Sequence, residues 1–192
     1  MPNDQPEYLL WLDFETPGLT DTSPIEVAAV LTRADDFTQI AGYESLLDTD
    51  SAPWTWEAIE MHAASGLLND WVLARRGNGL EKVLRAQHRI ADLLESAGVF
   101  TATLAGSGVG TFDLPIIKRE MPRLAGMLTY HVHDVGVMRR AYRRAVGADP
   151  APRTEPAHRA MADVQQSLTE GRAFAALFQG IDTPIRHEES NA

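Results

Sequence analysis

Leu9-Leu10-Trp11-Leu12-Asp13-Phe14-Glu15 is an apolar run closed by two carboxylates. Charge at the end of a strand-like segment is costly without a partner. Strand side chains alternate faces, so Asp13 and Glu15 project the same way with Cα atoms about 7 Å apart, while Leu10, Leu12 and Phe14 take the other face. Two neighbouring acids repel each other, and a divalent cation is the usual reason to tolerate that.

The run opens a chain of 192 residues, long enough for a sizeable core. We expect one domain over residues 1–192, with its core from about 7 to 180 and a polar, frayed tail at 182–192. Hydrophobic content of 44% and charged content of 23% fit a soluble globular protein. No apolar run reaches bilayer-spanning length, and Met1-Pro-Asn-Asp-Gln-Pro6 lacks the basic and apolar regions of a signal peptide. A cytoplasmic location without membrane contact is therefore expected. The absence of cysteine excludes disulfides, thiolate metal sites and cysteine nucleophiles. A net charge of −10 argues against a general nucleic-acid coat, but not against an enzyme that grips a few phosphates through cations.

Outward from the acidic pair, the pattern predicts strands at 8–15, 25–32 and about 39–47, joined first by the turn-rich Thr16-Pro17-Gly18-Leu19-Thr20-Asp21. A loop over 48–56 holds Pro53 and two tryptophans. Short helices follow at 57–61 and 65–73. Leu80 to Ser96 has the apolar stripe of an amphipathic helix, with Gly98 as the stop. A fourth strand is expected at 99–105 and a helix from Asp113 to about Glu120. A short strand near Tyr130–His133 precedes a helix from Asp134 to about Val146. A loop follows over 147–152. The last helix ends near Phe178, with Val164, Leu168, Gly171, Ala175 and Phe178 on one face. Strands first, then alternation with helices, predict a mixed α/β sheet flanked by helices.

Roughly one Asp-x-Glu arises by chance in so acidic a chain. Two other features bear on it. Asp113 follows a glycine-rich turn and opens a helix, which suits either a helix cap or a third acid. In His158-Arg-Ala-Met-Ala-Asp163, five residues on a continuous helix give about 140° of rotation, so the two ends would diverge. They converge if His158 sits in the turn before the helix and Asp163 on its second turn, and Pro156 suits that entry. His158 also reads as an ordinary surface or capping histidine.

The ordered set Asp13-x-Glu15, Asp113, His158-x4-Asp163 resembles the DEDDh group of 3′→5′ exonucleases, and within it oligoribonucleases most closely. The likeness extends beyond the acids. Leu10-Trp-Leu-Asp-Phe-Glu-Thr-Pro-Gly-Leu19 resembles the first motif of the group, and His62-Ala-Ala-Ser-Gly-Leu67 the His-Thr-Ala-Ser-Gly-Leu stretch of oligoribonucleases. Asp113-Leu-Pro-Ile-Ile-Lys-Arg-Glu-Met-Pro122 is similar to their second motif, and Asp134-Val135 with its basic helix is similar too.

The resemblance implies a ribonuclease H-like fold with a five-stranded mixed sheet. It implies phosphodiester hydrolysis with two Mg²⁺ or Mn²⁺ ions. Asp13, Glu15 and Asp163 would hold one ion, Asp13 would share the second, and Asp113 would act mainly through water. His158 would be the general base. The substrate implied is short single-stranded RNA, or DNA, cut from its 3′ end to nucleoside 5′-monophosphates. Thr16, Gly18 and Leu19 would meet the terminal nucleotide, and His62 would touch substrate, with Trp56 a lesser candidate. Simple packing is the other account of Leu19 and Trp56. Tyr130 keeps a position that a second subunit contributes in the family's homodimer.

The chain departs from the family where oligoribonucleases cap a 5′ phosphate. Gly108 or Val109 falls where a serine is expected, His131 replaces an arginine, and Gly136 replaces a second serine. His131, Ser107 or an arginine among 139, 140, 143 and 144 could compensate. Those arginines also read as a solvated helix face. A general single-strand DNA exonuclease and a non-catalytic binding module are the competing functions.

Overall fold

In the computed structural model, which describes residues 7–19, 23–49, 54–150 and 155–180, the opening run is strand β1 (Tyr8–Glu15) at the centre of a sheet. It pairs antiparallel with β2 (Glu26–Arg33), which pairs antiparallel with β3 (Gln39–Asp48). Helices α1 (Trp56–Ala64) and α2 (Leu67–Arg76) follow. A two-residue strand β4 (Glu81–Lys82) leads into α3 (Val83–Ser96). Next come β5 (Ala102–Gly106), α4 (Asp113–Glu120), the short α5 (Pro122–Ala125) and β6 (Leu128–Asp134). Helices α6 (Val135–Val146) and α7 (Ala160–Gln179) complete the described fold. The sheet order is β4-β3-β2-β1-β5-β6, with β5 parallel to both β1 and β6.

The mixed α/β sheet flanked by helices is as expected, with six strands in place of five. The extra strand is β4, which joins Leu47 and Asp48 of β3 in parallel. It takes the first residues of the helix expected from Leu80. Strand β5 starts three residues later than expected, because Val99 still closes the end of α3 through its amide to the Leu94 carbonyl (2.9 Å). The expected turn over 16–21, the loops over 48–56 and 147–152, and the tail at 182–192 fall partly or wholly outside the described residues.

The alternation along β1 sorts the interior into two layers. Leu10, Leu12 and Phe14 join Ile90 and Leu94 of α3 and Ile116 and Ile117 of α4 on one face. Leu9 and Trp11 join Val164 and Leu168 of α7 on the other. Because both faces of β2 are covered, its residues from Glu26 to Thr32 are all buried, whereas β3 alternates toward solvent. Helix α7 lies close to the sheet at Gly171, where a Cβ would come within 2.5 Å of the Trp11 ring. Trp11 is fully buried, and its Nε1 donates to Thr32 Oγ1 (3.0 Å). Asp13 and Glu15 continue the Trp11 face of β1 and so emerge under the start of α7.

Candidate active site

Strand β1 ends beside the first turn of α7, and this brings Asp13, Glu15 and Asp163 together. One carboxylate oxygen from each lies within 4.8 Å of the other two. Helix α7 begins at Ala160, so Asp163 sits on its first turn, not its second. His158 is in the turn before the helix, as expected, with a left-handed φ of 53°. That unfavourable backbone is held by Asp163, whose Oδ1 accepts from the Ala157 amide (2.9 Å) and Oδ2 from the Arg159 amide (3.3 Å).

Asp113 is the first residue of α4, whose N-cap is Phe112. Its Oδ1 accepts from the Phe14 amide (3.0 Å), which ties α4 to β1 between the two acids of the opening run. Asp13, Glu15, Asp113, His158 and Asp163 all line one cavity of about 550 Å³.

The acids strongly perturb one another. Burial pushes the Asp13 carboxyl well up, and Asp113, Glu15 and Asp163 push it further. Glu15 is raised to about 8, first by burial and then by Asp163, Glu26 and Asp113, with Arg159 opposing. Burial also raises Asp113, against the lowering effect of the Phe14 amide. All donors are oxygen, the chemistry of a hard divalent cation.

Two further acids, Glu26 and Asp134, support the site. Glu26 lies directly opposite Glu15 across β1 and β2, a repulsive pairing if bare. Its Oε1 accepts from Arg159 (Nη2 3.1 Å, Nε 3.2 Å) and its Oε2 from the Ala160 amide (2.8 Å). Arg159 also pairs with Asp70 of α2 (2.9 Å). Glu26 thus fixes the start of α7 over the sheet. Asp134, at the start of α6, accepts with one oxygen from Val137 (3.0 Å) and from Gly108 (3.1 Å), so it ties the glycine-rich turn to α6. The sequence already marks Asp134 as the start of its helix, but a single charge within a strand carries no pattern from which the role of Glu26 could be read.

The expected substrate contacts divide. Thr16 Oγ1 donates to the Gly18 carbonyl (3.0 Å), and the Thr55 amide donates to the Pro17 carbonyl (2.9 Å). Gly18 sits so close to Thr55 that a Cβ would meet its Cγ2 at 2.5 Å. This packed turn presents Leu19, which is 83% exposed, and Trp56 is exposed nearby in sequence to Thr55. His62 is instead fully buried and offers no surface to a ligand. Its Nε2 donates to the Thr16 carbonyl (2.8 Å), its ring packs edge-on against Trp54, and burial lowers its pKa. The Tyr130 and His131 rings meet at a tilt on β6, both exposed, and neither lines the acidic cavity. His131 belongs to a second cavity with Tyr8, Phe100 and His133.

Of the four arginines on α6, Arg139, Arg140 and Arg143 line the acidic cavity. Arg139 is buried between Glu170 (2.9 Å) and Asp149 (3.4 Å). At Gly136 a Cβ would approach Ser107 Oγ (3.0 Å) and Asp134 Oδ1 (3.1 Å), so the side chains around this position already fill the place of a larger residue.

No family model matches the chain. Curated relatives do. The chain is 33% identical over 175 residues to the oligoribonuclease of Streptomyces griseus, covering 86% of this chain and 84% of that one. It is 32% identical over 177 residues to the oligoribonuclease of Mycobacterium leprae, covering 86% and 79%. The fold is similar to that of E. coli exonuclease I solved in complex with a dA13 oligonucleotide (TM-score 0.61, 20% identity, 88% of this chain). The zinc-bound exonuclease I–single-stranded DNA complex gives a TM-score of 0.62 at 19% identity over 91% of this chain. The chain spans about two fifths of the length of those structures (40% and 43%). Identity of this extent to curated relatives along most of both chains establishes that the chain belongs to the oligoribonuclease family.

Proposed function

We propose that this chain is a divalent-metal-dependent 3′→5′ exonuclease that hydrolyses short single-stranded oligoribonucleotides to nucleoside 5′-monophosphates. The observation that carries this reading is the convergence of Asp13, Glu15 and Asp163 within 4.8 Å, in one cavity with Asp113 and His158. Oxygen-only donors and mutually raised carboxyls fit hard cations, whose charge would relieve the repulsion. Asp13, Glu15 and Asp163 would hold one Mg²⁺ or Mn²⁺, and Asp13 with Asp113 the second. When bound, the two ions supply charge stabilisation to the attacking and leaving oxygens of an in-line displacement.

The chain's own residues supply the rest. His158 takes a proton from the attacking water as its oxygen bonds to phosphorus and the bond from phosphorus to the departing 3′ oxygen breaks. Asp163 sets the position of His158 through the two amides beside it. The Thr16–Leu19 turn receives the terminal nucleotide, and Leu19 packs against its base without reading sequence. The chain acts as a homodimer, with exposed Tyr130 on edge strand β6 reaching the second subunit.

Incubation of 5′-labelled RNA of two to seven nucleotides with Mg²⁺ or Mn²⁺ tests this. Stepwise loss of 3′ mononucleotides is expected, and no release at high enzyme concentration would overturn it. A rate that does not change between two and twenty nucleotides, on RNA and DNA alike, would instead favour a general single-strand exonuclease.

A further inference from the structure

The acidic cavity has a basic side. Gly136, Arg140 and Arg143 of α6, spaced i, i+4 and i+7, face into it. Arg140 and Arg143 also line an adjoining surface cavity of about 290 Å³ together with Arg144. The two cavities therefore share a wall, and that wall is arginine.

The charges along it are unevenly satisfied. Arg143 reaches Asp149 at 3.5 Å. Among the described residues, Arg140 and Arg144 make no ion pair. Arg140 lies at the inner end, where its Nη1 and Ser107 Oγ both come within 3.5 Å of the space above Gly136. Arg144 lies one turn further along the helix, about 6 Å by its rise. Like charges four residues apart on an exposed helix face are mutually destabilising. A chain with a net charge of −10 had ample acid with which to pair them.

We propose that Arg140, Arg143 and Arg144 form a phosphate track along α6. The track carries the 5′-ward part of a single strand away from the acidic cluster. It reads phosphates, not bases, and favours oligomers of several nucleotides over dinucleotides. At Gly136 a larger side chain would press on Ser107, Asp134 and Arg140, so the glycine leaves Arg140 its place at the inner end. The direction assigned to the strand rests on the acidic cluster acting at a 3′ end, as proposed above.

Binding and cleavage together test it. Fluorescence anisotropy of a 5′-labelled seven-nucleotide RNA, in EDTA over a salt series, reads the track without catalysis. For R140Q/R144Q, affinity is expected to fall about tenfold, and the slope of log K against log salt should shrink by about 1.4, from about 0.7 per single-strand phosphate contact. Arg144→Glu, one exposed change at the far end, should weaken binding in the same direction if the double variant fails to fold. In Mg²⁺, the ratio of kcat/KM for seven over two nucleotides should fall about tenfold, and exposed Arg76 of α2 changed to Gln should leave that ratio alone. Slope and ratio unmoved in the arginine variants, with mononucleotides still released, overturn the track and spare the functional reading. A reduced slope in a protein that releases no mononucleotide does the reverse.

Discussion

Both oxygens of Asp163 accept backbone hydrogens from the residues flanking His158, so the acid and the histidine are parts of one turn. Asp163 thus has a place in the carboxylate cluster and also holds His158 at its left-handed φ. Asp163→Ala is expected to remove a cation ligand and release His158 together. His158→Ala should reduce turnover by about 10²–10⁴-fold, the usual share of a general base, while cation binding persists. Calorimetric titration with Mn²⁺ beside a turnover assay separates the two. Normal Mn²⁺ binding by Asp163→Ala would contradict its assignment.

Glu26 offers a contrast, because it faces Arg159 and the Ala160 amide. Glu26→Gln keeps an acceptor for one of these contacts but loses the charge. A loss of about 2 kcal/mol is expected from weakening hydrogen bonds that involve charged groups, with a fall in kcat as α7 loses its fixed start. Urea denaturation measures the first and steady-state kinetics the second. Unchanged values of both would remove Glu26 from the support of α7.

His62→Ala should be chiefly a stability variant. It deletes a fully buried ring and leaves the Thr16 carbonyl without its donor. A cost of about 2–4 kcal/mol is expected from the cavity and the unsatisfied acceptor. Differential scanning calorimetry should show the loss with or without substrate analogue. A stable variant with only a raised KM would restore His62 as a surface contact.

The acids predict how metal-free stability depends on pH. Glu15 is raised from 4.5 to about 8 in the fold, so between these values the folded chain holds more protons than the unfolded one. Stability in EDTA should therefore fall as pH rises through that window. Asp13 and Asp113 are raised as well and act in the same direction. Protons compete with cations for these oxygens, so Mg²⁺ or Mn²⁺ should raise Tm by several degrees at about pH 8 and by less at about pH 6. Thermal melts across pH, with and without cation, check the sign. Metal-free stability that rises from pH 5 to 8 would count against the cluster.

Gly171→Ala places a methyl group against a buried indole, since the added Cβ would lie 2.5 Å from Trp11 and 3.2 Å from Phe37. Overpacking of this kind costs about 1–3 kcal/mol, or roughly 2–4 °C in Tm per kcal/mol at this chain length. Alanine's greater helix propensity offsets less than that. A melt no lower than that of the unaltered chain would mean that α7 can lift without cost.

The parts of the site legible in the sequence are those written in local periods. Period-two alternation in 8–15 placed Asp13 and Glu15 opposite Leu10, Leu12 and Phe14, as the two packed layers show. The turn before α7 followed from the poor geometry of a five-residue helical separation. Strand β4 was not legible, because a two-residue strand has no period and its partner lies 34 residues away, at Leu47. The burial of His62 was hidden for a related reason: its acceptor is the backbone of Thr16, 46 residues earlier.

The two-sided packing of β1 also bears on how this chain can vary through descent. A strand paired on both edges and packed on both faces, with its acids on the α7 face alone, cannot gain or lose a residue without exchanging its faces. A single-codon deletion within 9–14 would turn carboxylates into the layer built on α3 and α4 and turn leucines toward Asp163. The outcome would be a chain that fails to fold, not one that folds without activity. Insertions and deletions are therefore barred from this strand, and divergence here must proceed by substitution at fixed length.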